Sequence, residues 1–422
     1  MKVAVNARFA AIGARSPVPF SITYADGTRY QSGTPPHQFG IRFKTHQAQW
    51  RTTLFGHIGL LEGYFDQEIE IDGDLSALFR VGLAAAFDTA NPLVYVRNCW
   101  HEFRHSNADR AMAKENARFH YALGHTFYRQ WLDDPLMMYT CAYWKEGTET
   151  LEEAQRNKVE HVCRKLRLAP GENVVDIGCG FGGFMFHASK HHGVSVTGTN
   201  TTTEQVEDVI ERAAQSPLRQ QLRVVEADFR EVVGQFDKVV SIGVLEHAGR
   251  DQIDAVVKAH AESLKMGGLG MLHFIGHMGT HPTEFFIRRH VFPGGWIPAL
   301  SEVLESMDRH GLQVVDIENL RRHYVLTLEV WAARFENKWT TIQPLDPKRF
   351  DERFYRIWRT YLRGCAEMFR APNGITHLFQ ITFSKGPINP ATYPMSRAFL
   401  YETPGAAAPA STRHRETSHE LV

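Results

Sequence analysis

Val174-Val175-Asp176-Ile177-Gly178-Cys179-Gly180-Phe181-Gly182-Gly183 decides how this chain is read. An apolar run passes directly into a glycine turn, and the residues that follow have helical character. A strand, a glycine loop and a helix N-terminus let backbone approach a ligand closely and aim N–H groups at it. A plain βα turn would not need four glycines in six residues, because each one costs backbone entropy.

The spacing Gly178-x-Gly180-x-x-Gly183 formally fits a dinucleotide fingerprint, which calls for an acidic side chain roughly 20 residues on to hold a ribose. The next strand, Val194–Gly198, runs instead into Thr199-Asn200. Asp176, two positions ahead of the glycines, suits an S-adenosylmethionine loop better. A nicotinamide-dependent oxidoreductase stays open as the disfavoured reading.

Around this unit, apolar segments and helical patterns alternate. Leu151–Leu166 is an amphipathic helix closed by Pro170-Gly171. Strands are expected at Val194–Gly198, Leu222–Glu226, Lys238–Gly243 and Gly268–Ile275, with a helix over Glu204–Ala214. This is a doubly wound, Rossmann-like α/β pattern with helical insertions. Residues 277–376 look long, aromatic and mostly helical, and Leu378–Phe383 looks like a last strand. Upstream, Phe20–Tyr30 reads as a hairpin on an Asp26-Gly27 turn, and Glu68–Ile71 alternates like a half-buried strand. The expected organisation is a small N-terminal α+β domain over 1–95, a catalytic domain over 96–402 and a disordered tail over 403–422.

The chain has 422 residues and a formal net charge of +0, which offers nucleic acid no bulk attraction. Its 27 Phe, 13 Tyr and 8 Trp suit a large apolar pocket or a large core. Five scattered cysteines make neither a disulfide framework nor a Cys-x-x-Cys metal site. Among 22 histidines no pair has ligand spacing within a motif, so no metal is expected, and His191-His192 read as solvated. No leader is visible and no run approaches the roughly 18 apolar residues that span a bilayer. A cytoplasmic location is expected.

Several further motifs occur in order: Met138-Tyr139-Thr140-Cys141-Ala142-Tyr143-Trp144, Gly243–Gly249 with Glu246 and His247, Leu272-His273-Phe274-Ile275-Gly276, His323-Tyr324 before Trp331, and Tyr361–Ala366. Together these resemble the cyclopropane-fatty-acyl-phospholipid synthase family, from about residue 15 to 386. The resemblance implies a class I methyltransferase sheet and a reaction between S-adenosylmethionine and a cis double bond of a phospholipid acyl chain. The alkene attacks the sulfonium methyl, bound bicarbonate removes a proton from the new methyl group, and the ring closes. It also implies a homodimer at the inner face of the membrane. A sister methyltransferase giving a methyl-branched or methylene product stays open, as does a non-catalytic lipid-binding protein.

Carried over by motif, Cys141, Glu246, His273, the Ile275 backbone and Tyr324 match bicarbonate positions. Tyr139 and Thr140 match a segment that closes over the cofactor. Asp176, Gly178, Gly180 and Gly182 form its loop, Gln205 matches a glutamine near the ribose, and Asp228 and Phe229 match the adenine region. Asn200 stands where the family has Thr, and Ala122 and His125 stand where it has Asp and Asn. Cys365 is expected to be structural. Phe285–Phe292 mixes aromatics with Arg; it could meet a membrane surface, but a helix with its apolar side turned inward is the favoured reading.

Overall fold

The computed structural model describes residues 2–85 and 91–401. The first sheet has four strands, β1 (Phe20–Thr23), β2 (Arg29–Ser32), β3 (Phe39–Phe43) and β4 (Ile69–Gly73), in the order β2-β1-β3-β4. β1 and β2 form the antiparallel hairpin that Asp26-Gly27 announces, closed by the Gly27 N–H on Tyr24 O at 2.9 Å. Helices α1 (Lys2–Gly13), α2 (His46–Phe65) and α3 (Leu75–Ala84) accompany it. Then come α4 (Pro92–Arg104), α5 (Arg110–Tyr121), the one-turn α6 (His125–Tyr128) and, after an irregular stretch, α7 (Leu151–Lys165).

The second sheet contains β5 (Asn173–Ile177), β6 (Ser195–Asn200), β7 (Leu222–Glu226), β8 (Phe236–Ile242), β9 (Leu264–His277), β10 (Leu312–Asn319) and β11 (Thr376–Lys385). Its order is β10-β11-β9-β8-β5-β6-β7, with β5 to β9 parallel and β11 antiparallel to both neighbours. Helices α8 (Gly183–His192), α9 (Thr203–Gln215), α10 (Ile253–Ser263), α11 (Phe285–His290), α12 (Leu300–Arg309), α13 (Arg321–Asn337), α14 (Trp339–Ile342) and α15 (Glu352–Arg370) make the connections. Because β5 is flanked by β6 on one side and β8 on the other, the chain changes winding direction at the C-terminal end of β5. Open α/β sheets bind their ligands at such a point.

Local chemistry explains the main elements. β5 is buried on both faces after its first residue, as a central parallel strand requires. α7 starts where Thr150 Oγ1 accepts the Glu153 N–H; Glu152 and Glu153 lie in its first turn and Arg164 and Lys165 in its last. Its apolar residues Ala154, Val159, Val162 and Cys163 are buried. β10 departs from the helical reading of 277–376. A bulge between Val314 and Asp316 breaks the period of two, and the buried position falls on Asp316 while Val314 is exposed, so no alternating signal survives. The expected tail at 403–422 lies outside the described residues.

Gly178 carries the sharpest local demand. Its φ is +79°, and a Cβ there would sit 2.3 Å from Val244 Cγ2. We expect Gly178→Ala to cost about 1–3 kcal/mol in urea unfolding from the backbone conformation, with the collision on top. Adding Val244→Ala should return only the steric part. A neutral Gly178→Ala variant would contradict this geometry.

Candidate active site

The cleft at the switch point is lined by Tyr139, Thr140, Asp176, Gly178, Gly180, Asn200, Gln205, Asp228 and Phe229, all of them expected from the sequence. Gly182 is the exception. It does not line the cleft but caps α8, with φ +77° and its α-carbon facing Val209 and Phe186. Asn200 fills its place well: Nδ2 donates to Gln205 Oε1 at 2.9 Å and to Gly180 O at 3.3 Å, while Oδ1 accepts the Thr202 N–H at 3.0 Å. It therefore ties the glycine loop to the start of α9, a span that threonine could not cover with the same bonds. Asp228 is engaged by Arg230, whose Nε lies 2.6 Å from Oδ1 and Nη2 3.0 Å from Oδ2. Oδ1 also accepts the Arg230 backbone N–H at 3.0 Å, which leaves a lone pair on Oδ2 for a ligand. Thr199 Oγ1, on a lining residue, is buried with no hydrogen-bond partner among the described residues.

One wall is the irregular stretch that contains Met138–Trp144, and polar side chains pin it. Gln155 Nε2 donates to Met138 O and Thr140 O at 3.1 and 2.8 Å. Lys158 Nζ donates to Thr140 Oγ1 at 2.7 Å. Thr327 Oγ1 accepts from the Ala142 N–H and from Trp144 Nε1, each at 3.1 Å. Tyr139 OH lies 3.0 Å from His120 Nε2 and donates to Tyr361 OH at 3.2 Å. Gln155, Lys158, Thr327 and His120 were not singled out in the sequence. On paper Gln155 and Lys158 are ordinary polar residues of an amphipathic helix; only the fold shows them fully buried.

Burial dominates the electrostatics. Lys158 is pushed down to about 7 by desolvation, opposed by Asp133, Cys141 and Asp176. Asp176 is pushed up to about 7 by desolvation, opposed by Lys158. Burial likewise raises Glu246 to about 7, against the hydrogen bonds it accepts from its own backbone and that of Ile275. It holds His273 well below the usual imidazole range, with Lys158 and Lys165 adding to the effect.

Glu246 and His273 form the inner polar set. Glu246 sits in the short turn after β8, and its Oε1 accepts the Ile275 N–H at 3.3 Å. That amide, expected to face an anion, is spent on Glu246 here. The Gly243 N–H donates to His273 O at 2.7 Å, drawing the end of β8 against β9. Gln380, opposite His273 in the β9–β11 register, places Nε2 3.0 Å from His273 Nδ1. With Gln380 donating, the imidazole hydrogen sits on Nε2. That Nε2 and Glu246 Oε2 are both buried with no hydrogen-bond partner among the described residues. Leaving such a group unmet costs about 1–3 kcal/mol each. Cys141 is fully buried, and burial drives its thiol far up. Burial first, then Tyr361, Cys141 and Glu246, keeps the Tyr324 phenol protonated. A neutral imidazole N–H, a phenol O–H and a carboxyl group are thus each held out of water, with Tyr324 near enough to Glu246 and Cys141 to feel their charge; these are donor and acceptor types that suit a small oxyanion.

Other expected residues fall as follows. Cys365 is pushed up to about 12 by burial, so it stays a thiol. Ala122 ends α5, and His125 opens α6 over Phe181 with its ring 5.6 Å away. His191 is exposed as expected, while His192 is half-buried: its Nε2 lies 3.0 Å from Glu160 Oε2, which also meets His187 Nε2 at 3.2 Å. Cys163 completes a group that could offer four metal ligands, but Arg164 already neutralises Glu160 at 3.0 Å, and an ion-pair network accounts for it. Phe285 and Phe286 are buried, and Arg288 is 2% exposed, so the inward reading of 285–292 holds.

This sheet order, with a glycine loop at its switch point and no acid closing β6, defines a class I S-adenosylmethionine-dependent methyltransferase. The family model for mycolic acid cyclopropane synthetase matches residues 108–381, and the chain belongs to that family of enzymes. It is 33% identical to a "probable fatty acid methyltransferase" of Pseudomonas putida, over 86% of this chain and 91% of that protein. It is 32% identical to the cyclopropane-fatty-acyl-phospholipid synthase of Escherichia coli K12, over 82% and 88%. Among solved structures, Mycobacterium tuberculosis MmaA2 matches with a TM-score of 0.60 and 30% identity, covering 64% of this chain and 98% of that one. The mycolic acid cyclopropane synthase CmaA1, complexed with SAH and CTAB, matches with a TM-score of 0.60 and 32% identity over the same shares.

The raised pKa of Glu246 has a signed consequence. The folded protein holds that proton more tightly than the unfolded chain, so the group's contribution is full below pH 4.5 and is lost as pH rises to about 7. Glu246→Gln should therefore raise stability relative to the parent at pH 8, on the order of 3 kcal/mol, and leave it nearly unchanged near pH 4.5. Thermal melts of both proteins across that window check it; an equal shift at every pH would show that Glu246 is not held protonated.

Proposed function

We propose that the protein transfers a one-carbon unit from S-adenosylmethionine to the cis double bond of an unsaturated phospholipid acyl chain and closes a cyclopropane, with bound bicarbonate as base. The observation that carries this reading is the two unmet buried atoms, Glu246 Oε2 and His273 Nε2: Glu246 sits in the turn whose neighbours Gly243, Val244 and His247 line the cofactor cleft, and the carbonyl of His273 accepts the Gly243 N–H. SAH in the CmaA1 complex supports the cofactor, and its partner CTAB, a long-chain cation, supports an acyl-shaped substrate.

When bound, S-adenosylmethionine supplies an electrophilic methyl group and bicarbonate supplies a compact base. This chain's residues do the rest. Tyr139, Thr140, Asn200, Gln205, Asp228 and Phe229 would seat the cofactor above Asp176 and the glycines. His273 Nε2–H and Tyr324 O–H would donate to the anion. Glu246, with its acidity near neutral, would accept the bicarbonate hydroxyl, and Cys141 would close the site's floor. Ile275 contributes through its amide, by holding Glu246 or by turning to the anion. Positive charge that develops on the chain would lie beside an aromatic region, in which the fully buried Trp131 and Trp331 pack 5.1 and 5.2 Å from the Tyr139 ring. They also exclude the water that would quench it.

The Pseudomonas relative's description favours a second reading, a fatty-acyl methyltransferase giving a methyl-branched or methylene product. Expression in cells rich in monounsaturated phospholipid separates the two by mass spectrometry. A gain of one CH2 that resists ozonolysis is the expected cyclopropane. The same gain with a cleavable double bond is the second reading, and no gain at all rejects both.

The base is tested separately. Turnover should fall when dissolved carbon dioxide is stripped during the assay and recover on adding bicarbonate but not chloride. Glu246→Ala should lose turnover on the order of 10²-fold together with most of that response. Wild-type turnover indifferent to verified removal of the anion would reject bicarbonate. Homodimer assembly and residence at the inner membrane face belong to the same proposal. Among the described residues, no helix is long and apolar enough to cross a membrane.

A further inference from the structure

α4 is inside out. Leu93, Val96, Trp100 and Phe103 recur at i, i+3, i+7 and i+10, the spacing of one helix face, and all four are exposed, Trp100 to 61% and Phe103 to 82%. The one buried residue of the helix is polar. Asn98 donates through Nδ2 to Thr283 O at 2.9 Å and accepts from Arg288 Nη1 at 3.1 Å. Glu102 turns to the same guanidinium at 2.8 Å. The helix is thus fastened by polar bonds and presents its apolar stripe outward. α2 extends the patch with exposed Trp50 and Leu54; Asn91, the N-cap of α4, donates to Leu54 O at 2.7 Å. Apolar exposure on this scale marks an interaction surface.

Charge says what fits it. Arg97 lies over Phe55 and Phe285, with its guanidinium carbon 5.2 and 5.8 Å from the ring centres, and Arg104 lies 4.8 Å over Trp100. Among the described residues, neither meets a carboxylate. Two arginines beside a Trp-bearing apolar stripe match phosphate headgroups above acyl chains. A two-fold pairing of this face with itself would bring unpaired arginines toward each other, which disfavours a second copy as the occupant. The face also leads inward. α11, against which α4 packs, continues into Phe292, whose ring lies 4.1 Å from His120 and 6.0 Å from Tyr361, the two partners of Tyr139.

We propose that the outer face of α4, with Trp50 and Leu54, docks the enzyme on an anionic phospholipid bilayer. Its functional meaning rests on the lipid-substrate reading above, but docking is measured without turnover. The full chain is floated with fluid vesicles of saturated phosphatidylcholine, with and without phosphatidylglycerol. The parent should bind the anionic vesicles. Trp100→Ser with Phe103→Ser should weaken partition on the order of tenfold or more. Arg97→Gln with Arg104→Gln should abolish the preference for phosphatidylglycerol. Both variants should keep the parent's oligomeric state by light scattering and its turnover of micellar unsaturated phospholipid. The proposal is overturned if the parent does not float, if the Trp100/Phe103 variant floats like the parent, or if that variant breaks up an oligomer. Vesicle binding without turnover of any lipid would instead sink the lipid-substrate reading and leave the docking face standing.

Discussion

The burial of ionisable groups beneath the glycine loop is the constraint on which the site depends. Lys158 and Asp176 are both out of water, and a low-dielectric interior holds neither charge cheaply alone. Each steadies the charged form of the other, and Lys158 directs its hydrogens to Thr140, the residue at which the cofactor wall meets the inner polar set. α7 therefore does two jobs. Its apolar residues anchor the sheet, while Gln155 and Lys158, set within the same buried face, fix the wall through three hydrogen bonds. Positioning by buried polar bonds suits a reaction in which the carbon unit must meet the alkene at a fixed place.

The same dryness shapes the inner set. Burial keeps His273 neutral, Tyr324 and Cys141 protonated, and Glu246 poised near neutrality. None of these is a strong side-chain base at working pH, which is why a separate small base is a coherent complement to them. The register makes the arrangement firm. His273 is locked by Gln380 on the neighbouring strand, and Glu246 is held through the Ile275 amide on the strand that carries His273. Sheet geometry sets the spacing, so the donors need no flexible loop to align them.

Residue patterns revealed part of this and concealed part. The run Val174–Gly183 announced a buried strand, a tight turn and a ligand, because continuous apolar residues and clustered glycines have few other uses. α7 and α9 were legible from their helical periodicity, α7 also from the Pro170-Gly171 that closes it. β10 was not, because its bulge moves the buried position onto Asp316. The roles expected for Cys141, Glu246, His273 and Tyr324 came from motif order alone, since a lone His or Cys says nothing about where it points. Lys158 and Gln155 escaped notice because polar residues in an amphipathic helix read as solvent-facing, whereas these two sit within the buried face beside Leu151 and Val162. Phe285–Arg289 and α4 show the same limit in reverse. The stretch that mixed aromatics with arginine turned inward, with Arg288 satisfied by Asn98, Glu102 and Gly295, and the helix in front of it took the exposed position.

Those two helices describe a physical division of labour. An aromatic helix can be set against the core only if the charged residues it carries inward find partners, and Arg288 obtains them from the polar side of α4. The bonds that stabilise the buried guanidinium also force the apolar side of α4 into solvent. In a monomer in water this is a liability, since exposed Trp and Phe side chains favour association. Exchanging Asn98 for an apolar residue to right the helix would strand Arg288, whose unpaired charge inside the protein is the costlier defect. The outward stripe is thus built into the support of α11, and a surface that covers it relieves the liability without disturbing the buried Arg288 contacts.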